Sequence, residues 1–370
     1  MQNTNKNNLK VDNKNFKEGI IKNRTTLMIT ILILLGVLFL SMVFAIVFGP
    51  VDIKPLEVLK IILHNAFNIS IGDTSALSSG VNYEIIWSIR FPRILLGAIV
   101  GMGLSVVGLT MQSMVQNPLA DPYILGISSG ASLGATFGIF IGIGSIFGAN
   151  GVSMFAFMGA LGSSLLVYVL SNTGGRATPV KLVLSGMVIS SIASAFSSFL
   201  IFTCRNDQQI RTITFWLMGS LASASWDSIK LPGIFIILGT LFFVFQFRNL
   251  NIMLLGDHNA ITLGTDLNKY RKIYMLITSL MTGLIVYSAG MIGFVGLVIP
   301  HIVRMIVGSD HRKLVPICAL VGAIFLIWTD VLARTLLSDM EIPIGVITSI
   351  LGAPFFIWIM IKKTNAFGGN

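Results

Sequence analysis

Residues 293 to 304 read Gly-Phe-Val-Gly-Leu-Val-Ile-Pro-His-Ile-Val-Arg. The run is apolar enough to sit in hydrocarbon, yet it carries Pro300, His301 and Arg304, none of which a simple hydrophobic anchor needs. A proline frees backbone groups that lipid cannot satisfy, so the segment requires protein neighbours and belongs in a bundle of helices.

The rest of the chain has the same character. Of its 370 residues 54% are hydrophobic and only 11% charged, with mean hydropathy +0.85, whereas a soluble domain carries roughly one quarter charged residues. A soluble enzyme is thereby excluded, and an all-α polytopic membrane protein is expected. Apolar stretches run from 27 to 48, 94 to 113, 124 to 145, 153 to 171, 182 to 203, 231 to 247, 273 to 291, 292 to 307, 315 to 333 and 343 to 361. They make ten candidate transmembrane helices. The stretch 292 to 307 is short against the roughly 20 residues of a full crossing, so 273 to 307 can also be read as one bent span.

Charge orients the bundle. A basic, Asn-rich head with Lys6, Lys10, Lys14, Lys17, Lys22 and Arg24 precedes the first span. That span exceeds a signal-peptide core and no small-residue cleavage pattern follows it cleanly, so it reads as a retained helix with its N-terminus in the cytoplasm. Ten crossings place seventeen cations inside and eight outside, the outer ones being Lys54, Lys60, Arg90, Arg93, Arg205, Arg211, Lys230 and Arg334. Both termini are then cytoplasmic, and the net charge of +10 belongs to the inner face without any need for nucleic acid. The organisation expected is a cytoplasmic tail over 1–25, one transmembrane domain over 26–363 and a short cytoplasmic tail over 364–370.

Local patterns refine this picture. Residues 55 to 67 read as an amphipathic helix on the outer surface, and 70 to 82 as a Gly/Ser loop. Gly97, Gly101 and Ser105 recur at helical spacing; Gly101-Met-Gly103 with Gly108 lacks the strand and acid of a dinucleotide site, so the small residues permit close helix contact. Asn117, Pro118, Asp121 and Pro122 mark a break before a bent or re-entrant helix start. The segment from 205 to 230 carries Trp216 and Trp226, suited either to the headgroup level or to a docking surface. The largest inner loop, 248 to 272, holds Leu254, Leu255, Gly256, His258, Ala260, Leu263 and Gly264, and is either a connector or a coupling element.

The chemistry expected of a catalyst is missing. Cys204 and Cys318 are isolated, which fits packing rather than redox or metal chemistry. His64, His258, His301 and His311 lack ligand neighbours at metal-binding spacing, and His301 is expected to be packed. No Gly-x-x-x-x-Gly-Lys-Ser/Thr loop cradles phosphate. Asp330 is the acid placed well inside an apolar span, where it must find a helix, a backbone donor or water; a structural hydrogen-bonding role outweighs proton relay.

These residues occur in an order that resembles the FecCD family of ABC transporter permeases. Carrying the likeness are Trp87-Ser-Ile-Arg-Phe-Pro-Arg93, Gln112 with Asn117-Pro-Leu-Ala-Asp-Pro-Tyr-Ile-Leu-Gly126, Ser129-Gly-Ala131, Trp216-Leu-Met-Gly219, Leu254-Leu-Gly256 with Leu263-Gly264, Gly293 to Arg304, Asp330 with Ala333-Arg334, Glu341-Ile-Pro-Ile-Gly345 and Gly352-Ala-Pro-Phe-Phe356. The resemblance runs from residue 27 to 363. It implies a ten-helix type II importer permease, without catalysis or a bound cofactor of its own, that pairs with a second copy or a related permease. Two cytoplasmic ATPases would supply ATP and Mg²⁺ chemistry, and an extracytoplasmic binding protein would deliver the cargo. Ferric siderophore is the first expectation for that cargo, with haem or cobalamin as alternatives; an ion-coupled secondary transporter is the alternative of another class. By the same resemblance Arg90, Arg93 and Arg334 meet acids of the binding protein, a role suited to the fixed fork of arginine. The 254 to 264 loop would contact the ATPase, although His258 stands where the family commonly has glutamate. The fifth and tenth spans would line the path, Ser185, Ser190, Ser194 and Ser197 giving the fifth a small polar stripe and Pro354 interrupting the tenth. Arg304 is expected as an anchor at the inner interface.

Overall fold

The chain is described by a computed structural model over residues 23–49, 51, 53–69, 78–121, 123, 126–173, 177–337 and 340–367. The head cations up to Lys22, most of the 70 to 82 loop, Pro122, Arg176 and the last three residues lie outside the described residues. Every regular element among the described residues is helical.

Helix α1 spans Arg24–Val47 and the amphipathic α2 spans Pro55–Phe67. A short turn, Val81–Tyr83, and a π-helical segment, Glu84–Arg90, lead into α3, Phe91–Val115. Then come α4 (Ile127–Phe140), α5 (Ile143–Asn172), α6 (Pro179–Thr203) and α7 (Asp207–Leu217). After them follow α8 (Trp226–Phe245), α9 (Phe247–Leu254), α10 (Asp257–Thr262) and α11 (Leu267–Ala289). The chain closes with α12 (Val295–Val307), α13 (His311–Thr335) and α14 (Ile344–Phe367).

Seven of these segments are long and apolar enough to cross a membrane, and α4, α12 and the 344 to 358 part of α14 are shorter apolar helices. The protein is therefore a multi-pass membrane protein. Its interior is inverted relative to simple expectation, because the most hydrophobic helix is not the most buried. Helix α1 turns Leu32, Ile33, Phe39 and Leu40 to the outside, as lipid contact requires. The small-residue-rich α3 occupies the centre, packed against α8, α11, α12 and α13.

Close approach explains that choice. At Gly108 an added methyl would run into the Gly296 backbone of α12, and at Gly101 into the Gly322 backbone of α13. In lipid there is no apolar driving force between helices, so such backbone-to-backbone contact supplies the attraction. Ser105 adds to it by donating its hydroxyl toward the Cys318 carbonyl at 2.8 Å.

The stretch 273 to 307 is two helices rather than one bent span. Gly290 and Phe294 both adopt positive φ, +67° and +68°, which ends α11 and starts α12 in a new direction. Phe294 holds that strained conformation with its ring against Gly352 of α14. The expected span 124 to 145 shrinks to α4, about 21 Å long at 1.5 Å per residue, because Gly126 and Gly142, both at positive φ, bound it. Helix α14 continues past Lys363 to Phe367, into the stretch expected to be a tail.

Gly108→Ala should lower stability by about 1–3 kcal/mol through overpacking. Gly36→Ala, where an added methyl meets nothing within 4 Å, should leave it unchanged or slightly raised. Thermal unfolding of both purified variants in one detergent checks the contrast.

Candidate functional site

At one end of the bundle the C-terminus of α1 leaves carbonyls with no intrahelical donor, and two arginines supply the missing bonds. Arg90, delivered by the π-helical segment, donates to the carbonyls of Ile46 (2.6 Å), Val47 (3.2 Å) and Val51 (3.0 Å). Arg334, from the last turn of α13, donates to those of Ala45 (3.1 Å) and Phe48 (3.2 Å). Gly49 is part of this arrangement, since a side chain there would occupy the Arg90 guanidinium. Cations also suit the negative end of a helix dipole.

Asp330 completes the cluster. Its carboxylate is buried and receives Arg93 Nε at 2.9 Å and Arg334 Nε at 3.0 Å. Arg93 reaches on to Glu341 at 2.9 Å, whose side chain is half exposed. The three arginines expected to share a surface are thus brought together, but Arg90 and Arg334 turn inward. Arg93 and Glu341 line a small recess of about 180 Å³ with Gly219, Ser220 and Pro343. Trp226 stacks on Trp87 and Phe91, with ring centroids 4.7 and 5.5 Å apart, and donates its indole N–H to the Trp87 carbonyl at 2.9 Å. It therefore braces this end from within.

Inside the bundle the turns at 117–121 lead to a contact between Tyr123 and the 290–294 linker. Asn117 and Asp121 each accept a backbone N–H two residues on, from Leu119 at 2.9 Å and Tyr123 at 2.8 Å. These turns direct Tyr123 toward the linker between α11 and α12, where its hydroxyl donates to the Ile292 carbonyl at 3.0 Å and accepts from the Ile292 N–H at 3.3 Å. His301 is buried on α12. Arg304, expected as an interfacial anchor, instead points inward and donates to Gln112 Oε1 of α3 at 2.9 Å. The buried carbonyl oxygen of Gln112 gives it a better partner than lipid can.

At the opposite end α9 and α10 form a hairpin whose turns use Gly256 and Gly264, φ +85° and +73°. Leu254, Leu255 and Leu263 are exposed, as is Ile261, while Ala260 is fully buried. The side chain of His258 lies outside the described residues. The hairpin is held firmly underneath. Arg271 grips Asp257 through two bonds of 2.6 and 2.9 Å. Gln116, at the end of α3, donates to the Met253 carbonyl at 3.1 Å.

A second tie runs through Asn251 of α9. It donates to Asp310 at 2.8 Å and its oxygen accepts from the His311 N–H at 2.9 Å and from His311 Nδ1 at 2.8 Å. The other ring nitrogen sits 2.7 Å from Ser113 Oγ of α3. The exposed loop is thereby tied to α3 and α13. Sequence reading assigned the loop but missed Asn251, His311 and Gln116 as its anchors; the one available signal was a cluster of amides and a histidine beside apolar runs.

On α6 the serine stripe divides. Ser194 is exposed, Ser185 and Ser190 are half-buried, and Ser197 is buried with its hydroxyl 3.1 Å from Thr136 of α4. Ser197 therefore packs helices together in this conformation. Pro354 lies within α14, on the other expected path helix.

Comparison with known proteins agrees with this geometry. A family model described as the FecCD transport family matches residues 31–362. The iron(3+)-hydroxamate import system permease of Bacillus subtilis is 36% identical over 342 residues, covering 90% of this chain and 96% of its own. The hemin transport system permease of Yersinia pestis is 38% identical over 287 residues, 77% of this chain and 85% of its own. A solved structure described as an inward-facing conformation of a metal-chelate type ABC transporter superposes with TM-score 0.77 at 29% identity, covering 90% of this chain and 99% of that one.

Asp330→Ala should cost about 3–5 kcal/mol, because the largely buried Arg334 guanidinium loses its counter-charge and Arg93 keeps only Glu341. Glu341→Gln, at a half-exposed carboxylate, should cost about 1 kcal/mol or less. Denaturation midpoints of the two variants against the parent protein measure the difference.

Proposed function

The chain belongs to the FecCD transport family, and from that premise we propose that it is the transmembrane permease subunit of an ATP-binding-cassette importer for ferric siderophores. The observation that carries the reading is the α9–α10 hairpin, an exposed apolar patch of Leu254, Leu255, Ile261 and Leu263 rigidly tied to the membrane helices. A chain without a phosphate-cradling motif has no use for such a lever unless an ATPase grips it. Ferric siderophore is favoured by the iron(3+)-hydroxamate permease among its relatives. Haem is the second reading, resting on the hemin permease.

In this reading the seven long helices and three shorter apolar ones make ten crossings of a type II permease, with both termini in the cytoplasm. The arginine end faces out and the hairpin faces in. A binding protein seats over the rim formed by Arg93, Glu341 and Arg334, with Arg90 bracing it from below. Two copies pair through α6 and α14, so that Ser185, Ser190 and Ser194 border the path between them.

Closure of the two ATPases on ATP pushes the hairpins. Asn251, His311 and Gln116 pass that displacement to α13 and α3, and Gln112 with Arg304 carries it to α12. The contact between Tyr123 and Ile292 joins the two unwound segments, a place where packing has two discrete arrangements to choose between, as alternating access requires. Asp330 holds charge balance at the outer rim. Its carboxylate is engaged by two guanidiniums, a structural role that accounts for a buried acid without the ion-coupled alternative.

Cells deleted for this gene should lose uptake of ⁵⁵Fe-labelled hydroxamate siderophore and regain it with the intact gene. Retained iron uptake together with lost haem uptake would select the second reading. Leu263→Asp should weaken association with the partner ATPase roughly tenfold or more, the effect of removing one buried leucine from an interface. The loss is read by co-purification and by binding-protein-stimulated ATP hydrolysis.

A further inference from the structure

Between α5 and α11 the bundle surface carries a groove of about 470 Å³ that no step of the transport cycle uses. Leu161, Leu165, Ile273 and Leu276 line it, and Leu165 and Leu276 are strongly exposed at its edges. Its floor is closed by the hydroxyls of Ser164 and Ser279, which bond to each other. They need no further partner, so the groove body is an apolar slot.

Apolarity alone selects nothing in a bilayer, since lipid tails are as apolar as leucine. The mouth of this slot is different. Lys272 lies there with its ammonium 5.9 Å from the ring centroid of Tyr168. Lys272 is exposed and Tyr168 half-buried. Two nearby cations are committed elsewhere: Arg271 to Asp257, and Lys181 to the Thr173 carbonyl at the end of α5. Among the described residues no carboxylate pairs with Lys272. An aromatic ring with a polar tip, an uncompensated cation beside it and an apolar slot running away from both match the three parts of one molecule, namely glycerol backbone, anionic phosphate and acyl chain.

We propose that the α5–α11 groove binds an anionic glycerophospholipid, its phosphate at Lys272 and Tyr168 and one acyl chain along Leu161, Leu165, Ile273 and Leu276. The proposal rests on the membrane placement of the bundle. Lysine on a flexible stem can follow a mobile headgroup, and the cationic end of the slot coincides with the membrane face richer in anionic lipid under the orientation proposed above.

The test uses the assembled importer, with its ATPases, in phosphatidylcholine liposomes doped with phosphatidylglycerol bearing a diazirine on one acyl chain. A matching phosphatidylcholine probe serves as reference, and labelled peptides are mapped after irradiation. Labelling by the phosphatidylglycerol probe should concentrate on residues 161–168 and 273–279. Lys272→Ala should reduce that labelling about fivefold, the effect of one interfacial cation on an anionic lipid, while leaving the reference probe unchanged. Leu165→Trp, which fills the slot, should reduce labelling by both probes.

Equal labelling of the groove and the remaining apolar belt by the two probes would overturn the site, as would Lys272→Ala labelled like the parent. Disulfide trapping between copies through Leu165→Cys would mean that a second permease covers the slot and would also overturn it. None of these results touches the membrane reading. That reading fails only if no apolar helix is labelled at all.

Discussion

A carbonyl that ends a helix in hydrocarbon has no water to bond with, and leaving it unpaired costs several kcal/mol. The C-terminus of α1 presents carbonyls that no intrahelical donor reaches, several of them buried, and the arrangement of one whole end of the protein follows from satisfying them. Arg90 and Arg334 bring five donor contacts to Ala45, Ile46, Val47, Phe48 and Val51. The Arg334 guanidinium finds its counter-charge in Asp330, which also pairs with Arg93, and Arg93 reaches on to Glu341. The π-helical turn before α3 is what brings Arg90 into reach. A peripheral helix is thereby pinned to the central α3 and to α13 through polar bonds, which add to the apolar packing of Val43, Ala45 and Ile46 against Ile94, Ala323 and Ile327.

The same constraint shapes the interior. Two segments, 117 to 121 and 290 to 294, give up helical hydrogen bonds within the bundle, and the loss is offset locally by Asx turns and by the Tyr123 hydroxyl. Because that hydroxyl serves both the N–H and the carbonyl of Ile292, the two unwound segments hold each other. Irregular backbone is tolerable here since it is enclosed by protein.

Much of this was legible in advance, and the reasons differ by residue. Apolar length located the helices, and the ordered motifs pointed to the family over 27 to 363, where the family model matches 31–362. The hairpin was recognisable from Leu254-Leu-Gly256 and Leu263-Gly264, since glycine at a positive φ leaves a mark in sequence. The anchors beneath it were not. Asn251, Ser113 and His311 lie far apart in the chain, and their amide and hydroxyl groups are common in any polar loop. Arg304 and Ser197 were legible as types but not as directions: an arginine near a helix end can snorkel or turn inward, and only the position of Gln112 decides.

By itself, then, the amino-acid order determined what local physics determines: a chain too apolar for water, helices of membrane length, a break at Pro118, and small residues where helices must touch. Tertiary structure decided which polar groups inside that bundle answer one another. Arg90 looks in sequence like a docking residue and in space is a cap on α1. Asp330 looks like a stranded acid and is the counter-ion of two arginines. The reason is that in low dielectric a polar side chain is defined by its partner, and the partner here is 39 to 44 residues away for Arg90 and 237 for Arg93 with Asp330.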